Sequence, residues 1–160
     1  MRIFKYLLNL LPEKIAYAHC DIPCGIYDPH QAQLAAHTVI RMTQLLTEIK
    51  RDNETKVEHD VARMTHVKEE HVNIIEEELE TLRNDYFKEE HYKQYSGLND
   101  LFVKALKSAS KARQNIDIIA AQETLSGILE IAEIFYKTKG VVPVRVKSIY
   151  PTGGEIVVYK

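Results

Sequence analysis

Nothing in the 160 residues approaches the roughly 18 consecutive apolar residues that a membrane-spanning helix needs, so no membrane partner is expected. Charge of one sign is missing too. The formal net charge is -2, from 21 Lys and Arg against 23 Asp and Glu, and no run of cations forms a stripe. A nucleic-acid partner is therefore not expected. Cysteine is scarce: Cys20 and Cys24 are the only two, too few for a disulfide-built secreted scaffold. Internal repeats and low-complexity tracts are absent. The Glu-x-x-His pairs of di-iron helical bundles are absent as well, because Lys56, Arg63, Lys68 and Lys88 stand three residues before His59, His66, His71 and His91. What remains is an ordinary composition, 45% hydrophobic and 28% charged, at a length that suits one domain with a real core.

Most of that length reads as helix. Asp28-Pro29 is a start signal, since Asp can hold the first free amides and Pro gives up no hydrogen bond there. Leu34, Thr38, Met42, Leu45 and Ile49 then keep three- and four-residue spacing until the polar break at Arg51-Asp52-Asn53. A second stripe runs through Val57, Val61, Met64, Val67, His71, Ile74, Glu78 and Leu82. The aromatic-rich stretch 84–97 reads as a corner with a short helix. Leu98 to Ala112 give a third helix with Leu101, Phe102, Ala105 and Leu106 inward; Asn115 can cap a fourth that runs to about Lys139, where Gly140 suits a stop. Short connections between amphipathic helices predict an all-α, up-and-down four-helix bundle. The β-branched segments Val141 to Ile149 and Glu155 to Tyr159, joined by YPTGG, predict a hairpin beyond the bundle. Alone such a hairpin is marginal in water, so it should lean on the bundle or on another subunit.

The chemistry concentrates ahead of the first helix, in AHCDIPCGIYDP at 18–29. The 18 residues before His19 resemble a leader, with Arg2 and Lys5 ahead of a short apolar run and a small-x-small site at Ala16-Tyr17-Ala18. Pro12, Glu13 and Lys14 interrupt it, which favours a propeptide over an export signal and so the cytoplasm over secretion. Cleavage after Ala18 gives His19 a free α-amine beside its imidazole, followed by the backbone nitrogen and thiolate of Cys20 and the thiolate of Cys24. Pro23 fixes φ and Gly25 tolerates positive φ, so the segment can turn back on itself. Two nitrogens and two sulfurs in a plane suit nickel or copper better than zinc, which prefers a tetrahedron, and thiolates tend to reduce Cu(II). A Cys-x3-Cys pair also suits a disulfide or half of a zinc site. For zinc the further cysteine or matched histidine pair is missing, and thioredoxin-like redox work wants x2 spacing in a βαβ setting.

Residues HCDIPCGIYDP closely resemble the nickel-binding hook of nickel-type superoxide dismutases, and DYFK at 85–88 resembles a second segment of that family. The resemblance implies a propeptide at 1–18 lost to a processing protease, a hook and four-helix bundle over 19–140, and a hairpin-like extension at 141–160 that exceeds the family pattern. It implies one nickel ion per subunit, held by the amine and axial imidazole of His19, the amide and thiolate of Cys20 and the thiolate of Cys24. Tyr27 and Tyr86 then flank the open face of the metal, Asp21 shapes the pocket, and Lys88 steers an anion. The implied activity is conversion of superoxide to dioxygen and hydrogen peroxide by Ni(II)/Ni(III) cycling, in a homohexamer. One departure stands out: where the family supports the axial imidazole with an acidic residue and an arginine, this chain has Ala35 and His71. His71, on an apolar stripe, is expected to bond the His19 ring directly or through water. The competing expectations are a nickel or copper carrier, which needs no guarded open face, and a helical interaction protein with a Cys20–Cys24 disulfide.

Overall fold

The computed structural model describes residues 24–160. The leader, His19, Cys20 and Asp21 lie outside the described residues. Four long helices form the bundle: α1 (His30–Glu48), α2 (Glu54–Thr81), α4 (Leu98–Gln114) and α5 (Ile118–Thr138). Between α2 and α4 the chain turns through a π-helical segment, Leu82–Tyr86, and a short α3 (Glu89–Gln94). Strands β1 (Pro143–Lys147) and β2 (Glu155–Tyr159) follow as an antiparallel pair with Arg145 opposite Val157. Helix α1 packs on α2 and α5, and α4 packs on α5 and α2, so the helices close a ring around one core.

The starts and stops have local causes. Asp28 Oδ1 takes the His30 amide at 2.7 Å, as the Asp-Pro signal predicts. Asn53 takes the Lys56 amide at 3.0 Å at the head of α2. The fourth helix corrects the sequence expectation: Asp117, not Asn115, takes the Ala120 amide at 3.0 Å, and Asn115 turns back to the Lys111 carbonyl at 3.1 Å. An acid two residues closer to the apolar run wins the capping position. Gly140, with φ of +75°, closes α5.

Both long stripes read from sequence are displaced from the core. The buried face of α1 is Ala32, Ala36, Val39, Ile40, Thr43 and Leu46, and that of α2 is Lys68, Val72, Ile75 and Leu79; of the expected stripe only Leu82, just past the end of α2, is buried. Leu34, Met42 and Leu45 on α1, with Met64 and Val67 on α2, are half-buried or exposed. On α1, alanine explains the rotation. Small residues let helices approach closely and so mark the centre of this interface, whereas a pattern search weighted to large side chains finds the margin. The same logic operates between α4 and α5, where a Cβ on Gly127 would stand 3.0 Å from the Ala105 Cβ. Phe102, Phe135, Ile75, Leu79, Leu98, Ile128 and Ile131 fill the remaining space, each burial stabilising by about 1.5–3 kcal/mol.

One core position carries a charge. Lys68, 2% exposed, donates to the carbonyls of Ala112, Arg113 and Asn115 at 2.6, 3.1 and 2.7 Å. It thereby satisfies the C-terminal end of α4, where a cation also meets the negative end of the helix dipole. Burial holds its pKa below the ordinary lysine value.

Candidate metal centre

Among the described residues no group of three or more His, Cys, Asp and Glu side chains is placed to hold a metal ion. Of the sequence-derived donors only Cys24 is described. It is exposed, its sulfur accepts the Ile26 amide at 3.5 Å, and Gly25 follows at φ +74°. That positive φ is open to glycine and turns the chain sharply beside the thiol. An exposed thiolate, already an acceptor at the head of a buried Pro29, is chemically suited to a soft or borderline metal, and in this respect the residue fits nickel.

Two residues after Gly25, Tyr27 turns back onto the bundle. Its ring lies 5.5 Å from that of Tyr86, so the structure brings together the two tyrosines that the sequence pairs. Tyr86 stands at the end of the π-helical turn, which re-aims the chain before Phe87, and is half-buried. Rings of Phe87, Phe135 and His91 surround it at 5.0, 4.6 and 5.8 Å. Its hydroxyl meets Thr138 Oγ1 at 2.6 Å. Thr138 spends its single proton on the Phe135 carbonyl at 2.7 Å, so Tyr86 is the donor and Thr138 the acceptor. The phenolic oxygen is left with acceptor capacity only. Burial pushes the Tyr86 pKa up.

The remaining candidates sit elsewhere. Lys88 is exposed and its ammonium is held by the Asp85 carbonyl across the corner. Nearer to Tyr86 is a cation that sequence reasoning missed: Lys139 Nζ stands 4.7 Å from the Tyr86 ring centroid. Thr138 and Lys139 were visible only as the last residues before a helix stop, and no local pattern links them to a corner some fifty residues earlier. His71 precedes Tyr86 by roughly 20 Å of helix at about 1.5 Å per residue, and is not part of the tyrosine pair. Its Nδ1 lies 2.8 Å from the Val67 carbonyl, so Nδ1 carries the proton and Nε2 of the neutral ring is an acceptor. It lines a groove of about 530 Å³ with Leu34, His37, Thr38, Arg41 and Tyr150. Ala35 is buried. No helix among the described residues is long and apolar enough to cross a membrane.

Comparison with known proteins agrees with this geometry. The profile of the family described as nickel-containing superoxide dismutase matches residues 14–139. The nickel superoxide dismutase of Streptomyces seoulensis is 35% identical over 128 residues, which cover 80% of this chain and 93% of that protein. Its counterpart from Streptomyces coelicolor is 34% identical over the same shares. A native nickel superoxide dismutase structure superposes with a TM-score of 0.68 at 34% identity, over 76% of this chain and 99% of that one. A structure of the enzyme with nickel ligated as in the oxidised state gives 0.69 at 34% identity over the same shares. The hairpin at 141–160 lies beyond the matched segment. The chain belongs to the nickel-containing superoxide dismutase family.

Proposed function

We propose that the chain, cut after Ala18, dismutes superoxide at one nickel ion held by His19, Cys20 and Cys24. The observation that carries this reading is the approach of Tyr27 to Tyr86 at 5.5 Å, directly after the exposed Cys24, in a chain of this family. Nickel bound there supplies a one-electron couple, so that one superoxide leaves as dioxygen and a second, with two protons, as hydrogen peroxide. The protein supplies the rest. Tyr27 and Tyr86 narrow the approach and keep hydrogen peroxide from the thiolates. Because Tyr86 has given its proton to Thr138, it orients a water by accepting from it rather than by donating. As the family resemblance implies, Asp21 is assigned the shaping of the same pocket. Lys139 places positive charge beside the Tyr86 ring, and the exposed Lys88 adds a second cation two residues along the chain, so that an anionic substrate gains in encounter rate.

His71 enters as a positioning residue. A ring that ligates a metal through one nitrogen has the other N–H to donate, and His71 Nε2 is an acceptor of the right kind. Identical EPR nitrogen splitting in oxidised wild type and His71→Gln would remove it from this role. Removal of residues 1–18 by a processing protease, action in the cytoplasm and assembly as a homohexamer complete the reading. The half-exposed apolar margin of α1, from Leu34 through Met42 to Leu45, offers surface for such assembly.

The deciding experiment takes protein beginning at His19, reduced and loaded with nickel. Stoichiometric nickel and rapid superoxide consumption are expected. Nickel bound without activity would make the chain a carrier, and a Cys20–Cys24 disulfide with no metal would make it an interaction protein. Mass spectrometry of the natural N-terminus checks the cut.

A further inference from the structure

The hairpin plays no part in the reading above, yet its attachments are selective. Pairing of Arg145 with Val157 leaves the Val157 N–H and C=O pointing out of the ladder. Both go to one side chain: the buried Gln33 amide accepts from Val157 N at 2.7 Å and donates to Val157 O at 3.2 Å. One helical turn later, His37 Nε2 donates to the Glu155 carbonyl at 3.1 Å, and Nδ1 accepts from Thr152 at 2.7 Å. Thus α1 acts as the missing neighbour of β2. The other attachments go to α5. Arg145 pairs with Glu133, and the Tyr159 ring lies 5.1 Å from that of Tyr136. Tyr136 in turn reaches Asp28 at 3.5 Å, and Asp28 holds the first amide of α1.

The two helices so joined are the two that flank the Tyr27–Tyr86 pair. The first turns of α1 continue directly from Cys24 and Tyr27. The last turns of α5 carry Thr138 and Lys139, which fix Tyr86. Terminal turns fray unless tied down, and a site whose base drifts must be ordered each time it takes its metal.

We propose that the C-terminal hairpin is a positioning clamp that locks the base of the nickel hook, on α1, against the wall of its pocket, on α5. The proposal rests on the hook reading for its purpose and on the described contacts for its mechanics. Three proteins beginning at His19 test it, with full-length Ile75→Ala as the control: the full chain, a chain lacking 141–160, and the full-length Gln33→Leu variant, whose leucine can serve neither Val157 group. In both variants amide exchange over 27–33 in the metal-free protein, and nickel release to a chelator from the loaded protein, are expected to rise about tenfold, while Ile75→Ala, a core change on α2 of comparable cost to global stability, leaves both near wild type. If the hairpin merely stabilised the bundle, Ile75→Ala would speed exchange over 27–33 and nickel release as much as Gln33→Leu does, and that result overturns the clamp. So does unchanged exchange over 27–33 in Gln33→Leu when Val157 itself exchanges faster. Should the truncated chain not fold, Gln33→Leu decides. Should the full chain take no nickel, the metal reading fails, and the exchange pattern still decides the clamp.

Discussion

The aromatic corner at Tyr86 and the hairpin at 141–160 are both secured to the last helix, but by opposite means. The corner is held by rings: Tyr27, Phe87, His91 and Phe135 surround Tyr86, and its single hydroxyl bond is to Thr138. The hairpin adds directional polar ties to its one fully buried side chain, Val157: Gln33 and His37 satisfy backbone atoms of β2, and Arg145 joins Glu133. Apolar contact is nearly non-directional and tolerates small shifts, whereas a buried amide bonded at both ends fixes register. A pocket wall therefore keeps its shape through packing. An appended element finds its place through hydrogen bonds.

The largest effects should fall where this contrast meets the metal. Cys24→Ser removes a thiolate that no ring or amide can replace, and should lower nickel-dependent dismutase activity at least ~100-fold, with helical circular dichroism intact. Within the corner, Phe135→Ala removes a fully packed ring beneath Tyr86 and should cost about 3–5 kcal/mol in denaturant unfolding. On the hairpin side, Gln33→Leu strands a buried donor and a buried acceptor and should cost about 2–4 kcal/mol by the same measurement. A cost for Gln33→Leu under about 0.5 kcal/mol would break the comparison, because water would then be serving Val157 equally well. Thr138→Val sharpens it at the corner: it preserves shape but releases the Tyr86 hydroxyl to donate. Stability should change by only about 1 kcal/mol, while the pH profile of superoxide turnover shifts because Tyr86 regains a free proton.

The sequence was most readable where chemistry is local. Cys24, Gly25 and Asp28-Pro29 announce a turn and a helix start within six residues, and the structure bears out the turn at Gly25 and the start at His30. The β-branched run in Glu155–Tyr159 was equally plain, and it forms β2. Legibility failed where a contact joins distant segments or where size misleads. Alanines at 32 and 36 hid the true face of α1, and no pattern near Tyr86 pointed to Thr138 or Lys139. Lys68 was the hardest case. A lysine among charged neighbours reads as solvent-facing, and only the arrival of the α4 terminus overhead makes it a buried cap. Gln33 hid for the same reason, since its partner lies 124 residues away.

The smallest expected effect tests the polar attachment by pH. The Glu155 carbonyl can only accept, so the His37 proton sits on Nε2 and Nδ1 receives the Thr152 hydroxyl, an arrangement of the neutral ring. Burial lowers the His37 pKa from its ordinary 6.5, while the bond to the Glu155 carbonyl partly opposes the shift. A depressed value means that the unfolded chain binds the proton first. The associated stability is therefore fully present above the unfolded pKa of 6.5 and is lost as pH falls below it through the folded value. Thermal melts of the metal-free protein should fall in that window by a few degrees, on the order of 0.5–1 kcal/mol. His37→Gln, which keeps a donor and an acceptor but has no proton to gain, should flatten the decline. A decline of equal size in the variant would assign it to other groups and leave the hairpin's hold on α1 independent of pH.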